Sequence, residues 1–371
     1  MEPTSIRLPP DLLPDDGRFG SGPSKIRREA LDRLTATPLY LGTSHRRDPV
    51  RSVVQHIRAG MGELFGLPEG YEVVLGNGGA TAFWDAATFR LIEQRSLHYV
   101  FGAFSGRFAA VVAAAPHLRP PVLVEGPVGS RPEPVGADGV DLVALTHNET
   151  STGVMMPVTR PEGDALVAVD ATSAAGAVEV DPAAFDVYYF SPQKAFGSEG
   201  GLWVALCSPA ALERIASLQH RWSPPFLDLA LAVDESRRNQ TLNTPALATL
   251  FLLADQIDWL AGRGGIAAAA ARCRDTAAVI YRWAEASPFA TPFVVDAAHR
   301  SPTVATIDLA PEIAASAVAS ALDANGIVDV EGYRKLGHNQ LRIAVYPNVE
   351  PGDVARLLAA VDYVVAALGP E

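Results

Sequence analysis

The chain has 371 residues, 48% of them hydrophobic and 19% charged, a globular composition far from the disordered corner. Its formal net charge of −12 speaks against nucleic acid or an acidic membrane surface as partner. The length exceeds one ordinary core, so two domains are expected.

The N-terminal stretch MEPTSIRLPPDLLPDDG is acidic and Pro-rich and has no apolar core of a signal peptide. Its prolines forbid regular structure, so residues 1–18 are expected to form an arm lying on a surface. Phe19-Gly-Ser-Gly-Pro23-Ser24 reads as a tight turn before a helix starting near Lys25. Gly42-Thr-Ser-His45-Arg46-Arg47-Asp48-Pro49 is a loop, followed by an amphipathic helix over 50–64. In an acidic protein this basic cluster is either a solvated surface or an anion site. A strand over 71–75 leads into Gly76-Asn-Gly78-Gly79-Ala80-Thr81 and an apolar helix over 82–92. A Gly-rich turn feeding a helix exposes free N–H groups and the positive end of the helix dipole, the makings of a phosphate cradle. The spacing matches neither the P-loop nor the dinucleotide fingerprint, and glycines here can equally serve only to permit the turn.

Two further strand-then-loop units follow. The run 97–101 leads into Gly102-Ala-Phe104-Ser and a helix through Ala115, and 140–145 leads into Thr146-His147-Asn148-Glu149-Thr150-Ser-Thr-Gly153, with a strand over 121–124 between them. Phe104 at a strand edge can stack on a flat ring or serve as plain core. Asn148 and Thr150 can hydrogen-bond a phenolic oxygen or a carboxylate, although Asn-Glu-Thr is also ordinary loop composition.

The stretch 165–206 organises the whole. Residues 166–169 are an apolar run closed by Asp170, and 187–190 are a second run followed by Ser191-Pro-Gln-Lys194. Both are continuous rather than alternating, the pattern of strands covered on two faces. An acid and a lysine at the carboxyl edge of such a sheet suit a carbonyl cofactor held as a Schiff base, the lysine supplying the imine and the acid pairing with a pyridinium nitrogen. Alone, Asp170 also fits the start of a turn and Lys194 a solvated loop. The loops ending at Thr81, Phe104, Thr150, Asp170 and Lys194, however, all leave strand ends, and right-handed crossovers put those ends on one edge. A cradle, a ring, polar contacts, an acid and a lysine then converge, and pyridoxal phosphate is the cofactor they point to.

Beyond Leu206 the chain turns helical. In Gln240-Thr-Leu-Asn243-Thr244-Pro245, Thr244 reads as an N-cap with proline at the first helical position, a second candidate phosphate contact. The Ala-rich run 266–286 is a long helix with the domain boundary near its start. This gives an arm (1–18), a large domain (19–262) and a small α+β domain (263–371). The small domain has strands near 304–309 and 339–345 and helices near 312–325 and 351–368. Alternation puts Leu341, Ile343 and Val345 on one face and Arg342 on the other. An arginine in an apolar strand needs an anionic partner, either a bidentate substrate carboxylate or a structural ion pair. Cys207 and Cys273, the only cysteines, read as core residues of a reduced, cytoplasmic protein. The most apolar helical stretch, 246–260, carries Asp255 and Asp258, so no membrane span is expected. The eight histidines show no metal-ligand spacing, and no metal site is expected.

The segments FGSGPS, GTSHR, HNETSTG, VDATS, SPQK, LNTP and NQLRIAVYPN run from Phe19 to the C-terminus. Together they resemble the phosphoserine aminotransferases, pyridoxal-phosphate enzymes of fold type I. The resemblance implies an α/β fold with a mainly parallel seven-stranded sheet in the large domain and a smaller α+β C-terminal domain. It implies that Lys194 forms the internal aldimine and then carries the proton between Cα and C4′, and that Asp170 keeps the pyridine nitrogen protonated. Gly79, Ala80, Thr81 and Gln193 match contacts to the cofactor phosphate, with Asn243 and Thr244 supplied by the partner subunit of a homodimer. Thr150 stands near the ring oxygen, and Phe104 stands where the family usually has a stacking tryptophan. Arg342 matches the clamp on the substrate α-carboxylate. His45 and Arg46 match residues that meet the substrate phosphate across the interface, aided by Arg334 and Lys335. The implied reaction interconverts 3-phosphohydroxypyruvate plus glutamate with phosphoserine plus 2-oxoglutarate, in L-serine synthesis; a role in pyridoxine synthesis stays open. The rivals are an alanine– or serine–glyoxylate aminotransferase, which gives no reason for the basic loop, and a non-catalytic cofactor-binding protein, against which Lys194, Asp170 and Arg342 stand together.

Overall fold

The computed structural model describes residues 2–37 and 40–369. The continuous apolar runs become a seven-stranded sheet. Its strands are β1 (Glu72–Asn77), β2 (Ser96–Val100), β3 (Val122–Glu125), β4 (Leu142–Thr146), β7 (Leu166–Asp170), β8 (Val187–Phe190) and β9 (Leu202–Cys207), and the pair β5 (Asn148–Glu149) and β6 (Val154–Met155) forms a separate small hairpin. The sheet order is β1-β9-β8-β7-β4-β2-β3. Only β9 runs against its neighbours, so the carboxyl ends of the other strands lie on one edge.

Every residue of β4, β7, β8 and β9 is buried, as strands with helices on both faces require. On one face Val167 and Val169 join a core with Val54 and Ile57 of α2 (Asp48–Leu64) and with Leu253 and Ile257 of α7 (Leu247–Ala261). On the other, Leu166 and Ala168 join Phe83 of α3 (Ala80–Arg90), Phe108 of α4 (Ala103–Ala114), Ala211 of α5 (Pro209–Ser217) and Val233 of α6 (Leu229–Arg237). The period-2 side-chain alternation of the strand thus divides its residues between two apolar layers.

A second core gathers α8 (Gly265–Ala286), α9 (Ala315–Asp323), α10 (Pro351–Leu368) and the antiparallel strands β10 (Ala290–Pro292), β11 (Val304–Leu309) and β12 (Gln340–Ala344) around Ile280, Ile307, Ile343 and Val361. The proline-rich N-terminus forms only two short 3-10 turns, Pro3–Ser5 and Pro10–Leu12, yet it does more than lie on a surface. Ile6 and Leu8 are buried in this second core, and Asn325 accepts from the Leu8 N–H at 3.0 Å and donates to the Ile6 carbonyl at 2.9 Å.

Two helix starts differ from the sequence expectation. The first helix, α1 (Arg28–Thr35), begins three residues after Lys25. The Ser24 N–H is committed to the Gln193 carbonyl at 2.7 Å and the buried Lys25 ammonium lies 3.6 Å from Asp353, which holds this segment off the helix. Helix α7 begins at Leu247, capped by the backbone of Ala246, because the Thr244 hydroxyl is engaged by His45 Nδ1 at 3.1 Å rather than by its own helix. Among the described residues no helix is long and apolar enough to cross a membrane, and no three His, Cys, Asp or Glu side chains gather as a metal site would require.

Candidate active site

At the carboxyl edge of the sheet lies a cavity of about 280 Å³. β7 delivers Asp170 to it, the turn after β8 delivers Gln193 and Lys194, and the turn between β1 and α3 delivers Gly79, Ala80 and Thr81. Phe104 enters from the first turn of α4, Thr150 from the turn after β5 and Arg342 from β12 of the second core.

Asp170 is 6% exposed and fully engaged. Its Oδ1 accepts from the Thr172 N–H at 3.0 Å and hydroxyl at 2.7 Å, and its Oδ2 accepts from Trp84 Nε1 at 3.2 Å. Burial raises the pKa of this carboxyl, while the Thr172 donors, the Lys194 charge and the Trp84 donor pull it back toward the ionised form. Lys194, also buried, donates from Nζ to Thr150 Oγ1 at 2.8 Å, and Nζ lies 5.2 Å from the centre of the Phe104 ring. Burial lowers its pKa to about 8, against the attraction of Asp170, and Arg342 adds repulsion. Gly22, at φ 145°, explains the glycine in the FGSGPS turn: a Cβ there would lie 2.7 Å from Lys194 Cε.

Arg342 has no carboxylate partner among the described residues, so the structural ion pair is not made. It donates weakly from Nη1 to the Thr150 carbonyl at 3.4 Å, lies 5.4 Å from the centre of the Tyr333 ring and leaves a buried Nε without partner. Gln193 Oε1 is likewise buried and unpartnered. At α3 the N-cap Gly79 offers no side chain, leaving the N–H groups of Ala80 and Thr81, two residues that line the cavity, without a capping partner. Two orphaned polar atoms, a helix N-terminus, an aromatic face and a buried acid and lysine form a donor set that fits pyridoxal phosphate.

The other expected residues lie elsewhere. His45 and Thr244 are joined by their hydrogen bond, with exposed Arg46 next to one and Asn243, bonded through its N–H to Asn77 Oδ1 at 3.1 Å, next to the other. Arg334 and Lys335 are exposed and do not line the cavity. The cavity also contains residues that the sequence reading passed over. Trp84 lies one helical turn beyond Ala80, a spacing that shares a face, and so was within reach of pattern reasoning. Ser173 accepts from Thr150 Oγ1 at 2.9 Å and Tyr333 receives a hydrogen bond from Arg107 Nη2 at 2.9 Å; neither has a sequence signal.

Comparison with known proteins agrees with this geometry. The profile of the family described as Aminotransferase class-V matches residues 134–355. The chain is 56% identical over 367 residues to a phosphoserine aminotransferase of Rhodococcus jostii strain RHA1, covering 98% of both chains. It is equally similar, over the same share, to a phosphoserine aminotransferase of Rhodococcus opacus strain B4. The crystal structure of a phosphoserine aminotransferase from Cytophaga hutchinsonii superimposes with a TM-score of 0.86 at 25% identity, covering 94% of this chain and 99% of that one.

Proposed function

The chain belongs to the class-V aminotransferases, and from that premise we propose that it is the transaminase that interconverts 3-phosphohydroxypyruvate plus L-glutamate with O-phospho-L-serine plus 2-oxoglutarate, a step of serine biosynthesis. The observation that carries this reading is one cavity lined by a buried lysine, a buried acid and an arginine that has no carboxylate partner among the described residues.

Pyridoxal phosphate, when bound, supplies an electron sink for the bond-breaking at Cα. The protein's part follows from its own groups. Lys194, with a pKa near 8, is poised between the protonated form and the neutral amine that attacks a carbonyl, and its Nζ carries the proton during transfer. Thr150 fixes the direction of that Nζ. Asp170, whose Thr172 and Trp84 donors and the nearby Lys194 charge favour its ionised form against the cost of burial, would hold the proton on the pyridine nitrogen. Phe104 gives the aromatic face, and Gly79, Ala80, Thr81 and Gln193 hold the cofactor phosphate. Arg342 takes the substrate α-carboxylate with the nitrogens it leaves unpaired.

The substrate phosphate is read by His45 and Arg46 of a second copy, with Arg334 and Lys335, and Asn243 and Thr244 reach the neighbouring cofactor. This dimer is supported by the gathering of His45, Arg46, Asn243 and Thr244 in one cluster away from their own cavity. It is also supported by His45 Nε2, which is buried without a partner, and by the exposed Trp222 and Phe226, apolar surface that suits burial against another copy. Cytoplasmic residence is supported by Cys207 and Cys273, both buried and unpaired. The same basic groups suit a second, phosphorylated substrate of pyridoxine synthesis.

The test is single-turnover conversion of the yellow enzyme to its amino form. Phosphoserine and glutamate are expected to convert it rapidly and unphosphorylated serine far more slowly; serine converting it as fast as phosphoserine would favour a glyoxylate-type transaminase instead.

A further inference from the structure

Glu149 ends the short strand β5, in a segment of ordinary polar composition, yet it is fully buried and makes no ion pair among the described residues. Donors surround its carboxylate instead. Oε1 accepts from the Ser151 hydroxyl at 2.7 Å, the Ser151 N–H at 3.2 Å and the Phe104 N–H at 3.3 Å. Oε2 accepts from the Ser105 N–H at 2.9 Å, the Ser105 hydroxyl at 3.0 Å and the Phe104 N–H at 3.1 Å. The Ala103 N–H completes the set by donating to Ser151 Oγ at 2.9 Å.

The first three N–H groups of α4 therefore all end on the segment 149–151. A helix leaves these groups without internal partners, and they form the positive end of its dipole, so a carboxylate seated there needs no counter-cation. The N-cap, Gly102, has no side chain to offer. A Cβ on it would lie 2.3 Å from Glu149 Cγ and 2.4 Å from Cδ, so the glycine clears the space that Glu149 fills. Glu149 thus does from another element what a capping side chain does locally.

The same segment reaches the cavity. Thr150, between the two capping residues, accepts from Lys194 Nζ, and Phe104, whose N–H Glu149 holds, places its ring 5.2 Å from that nitrogen. We infer that Glu149 is a positioning residue: by fixing the first turn of α4 it holds the Phe104 ring against the cofactor plane and ties that ring to the Lys194–Thr150 contact. The inference rests on the reading of Phe104 as the ring that faces the cofactor. The negative charge of Glu149 also adds to the attraction that keeps a proton on Lys194.

The experiment titrates cofactor-free protein with pyridoxal phosphate, following visible absorbance, in the parent, Glu149→Gln, Phe104→Ala and the double variant, with the melting temperature of each cofactor-free protein beside it. A glutamine turns an NH2 toward a ring of donors, so Glu149→Gln is expected to weaken cofactor binding about tenfold or more. Phe104→Ala weakens it too, and the double variant binds no more weakly than Phe104→Ala alone, the signature of action through one ring. Ser151→Ala, which removes one hydroxyl donor to Glu149 and the acceptor of the Ala103 N–H but spares the charge, is expected to show a smaller loss that also vanishes beside Phe104→Ala. Loss in Phe104→Ala with parent-like binding in both Glu149→Gln and Ser151→Ala would overturn this inference alone. Fully additive losses in the double variant, tracking the melting temperatures, would reduce Glu149 to a structural role and overturn it as well. Parent-like binding in Phe104→Ala would overturn the stacking reading and this inference with it.

Discussion

Replacing Lys194 by methionine should make the cofactor-free protein more stable. The ammonium is buried, and burial outweighs the attraction of Asp170, holding the pKa near 8 against an ordinary value of 10.5. Because the folded value is the lower one, the unfolded chain binds more protons between those two pH values, and stability rises with pH across that window. Below pH about 8 the full penalty is present, and the gap between the two values corresponds to roughly 3 kcal/mol. Above about 10.5 it is gone. Methionine keeps an unbranched apolar stem of similar length; the Nζ–Thr150 hydrogen bond is lost, but Thr150 keeps its bond to Ser173. Urea unfolding of the two cofactor-free proteins at several pH values measures the difference. The variant is expected to be more stable by roughly 3 kcal/mol at pH 7, with the difference closing as the pH approaches 10.5. A variant no more stable at pH 7, or a difference that ignores pH, would refute the claim that the site holds this lysine at a cost.

Asp170→Asn should retain cofactor but lose on the order of 10²-fold in kcat, because a neutral partner no longer holds the proton on the pyridine nitrogen; near-normal kcat would contradict the role given to the acid. Mixing inactive Lys194→Ala chains with inactive Arg46→Ala chains should restore activity, since a heterodimer has one site carrying both lesions and one carrying neither. Mixtures that stay inactive, with the heterodimer shown to be present, would count against a shared site.

What was legible in the sequence follows from how locally each feature is determined. The central strands announce themselves because burial on both faces demands continuous apolar runs, and Asp170 at the end of β7 and Lys194 in the turn after β8 then fall at the cavity edge. Arg342 stood out because its apolar strand offers it no local partner, and among the described residues it is left without a carboxylate. Thr244 misled because a cap is decided by which group the hydroxyl meets in space, here His45. Glu149 read as loop composition because its meaning lies in α4, more than forty residues earlier in the chain. The proline-rich N-terminus hid two buried aliphatic residues, since a segment without regular structure has no period to reveal a core face.

The central claim is that Lys194 is the residue that binds the cofactor, and the chain makes the test direct. It has three lysines: Lys25, whose buried ammonium lies near Asp16 and Asp353, the exposed Lys335, and Lys194. Borohydride reduction of the yellow enzyme followed by peptide mapping is expected to place the pyridoxyl label on Lys194, and a label on Lys25 or Lys335 would contradict the account.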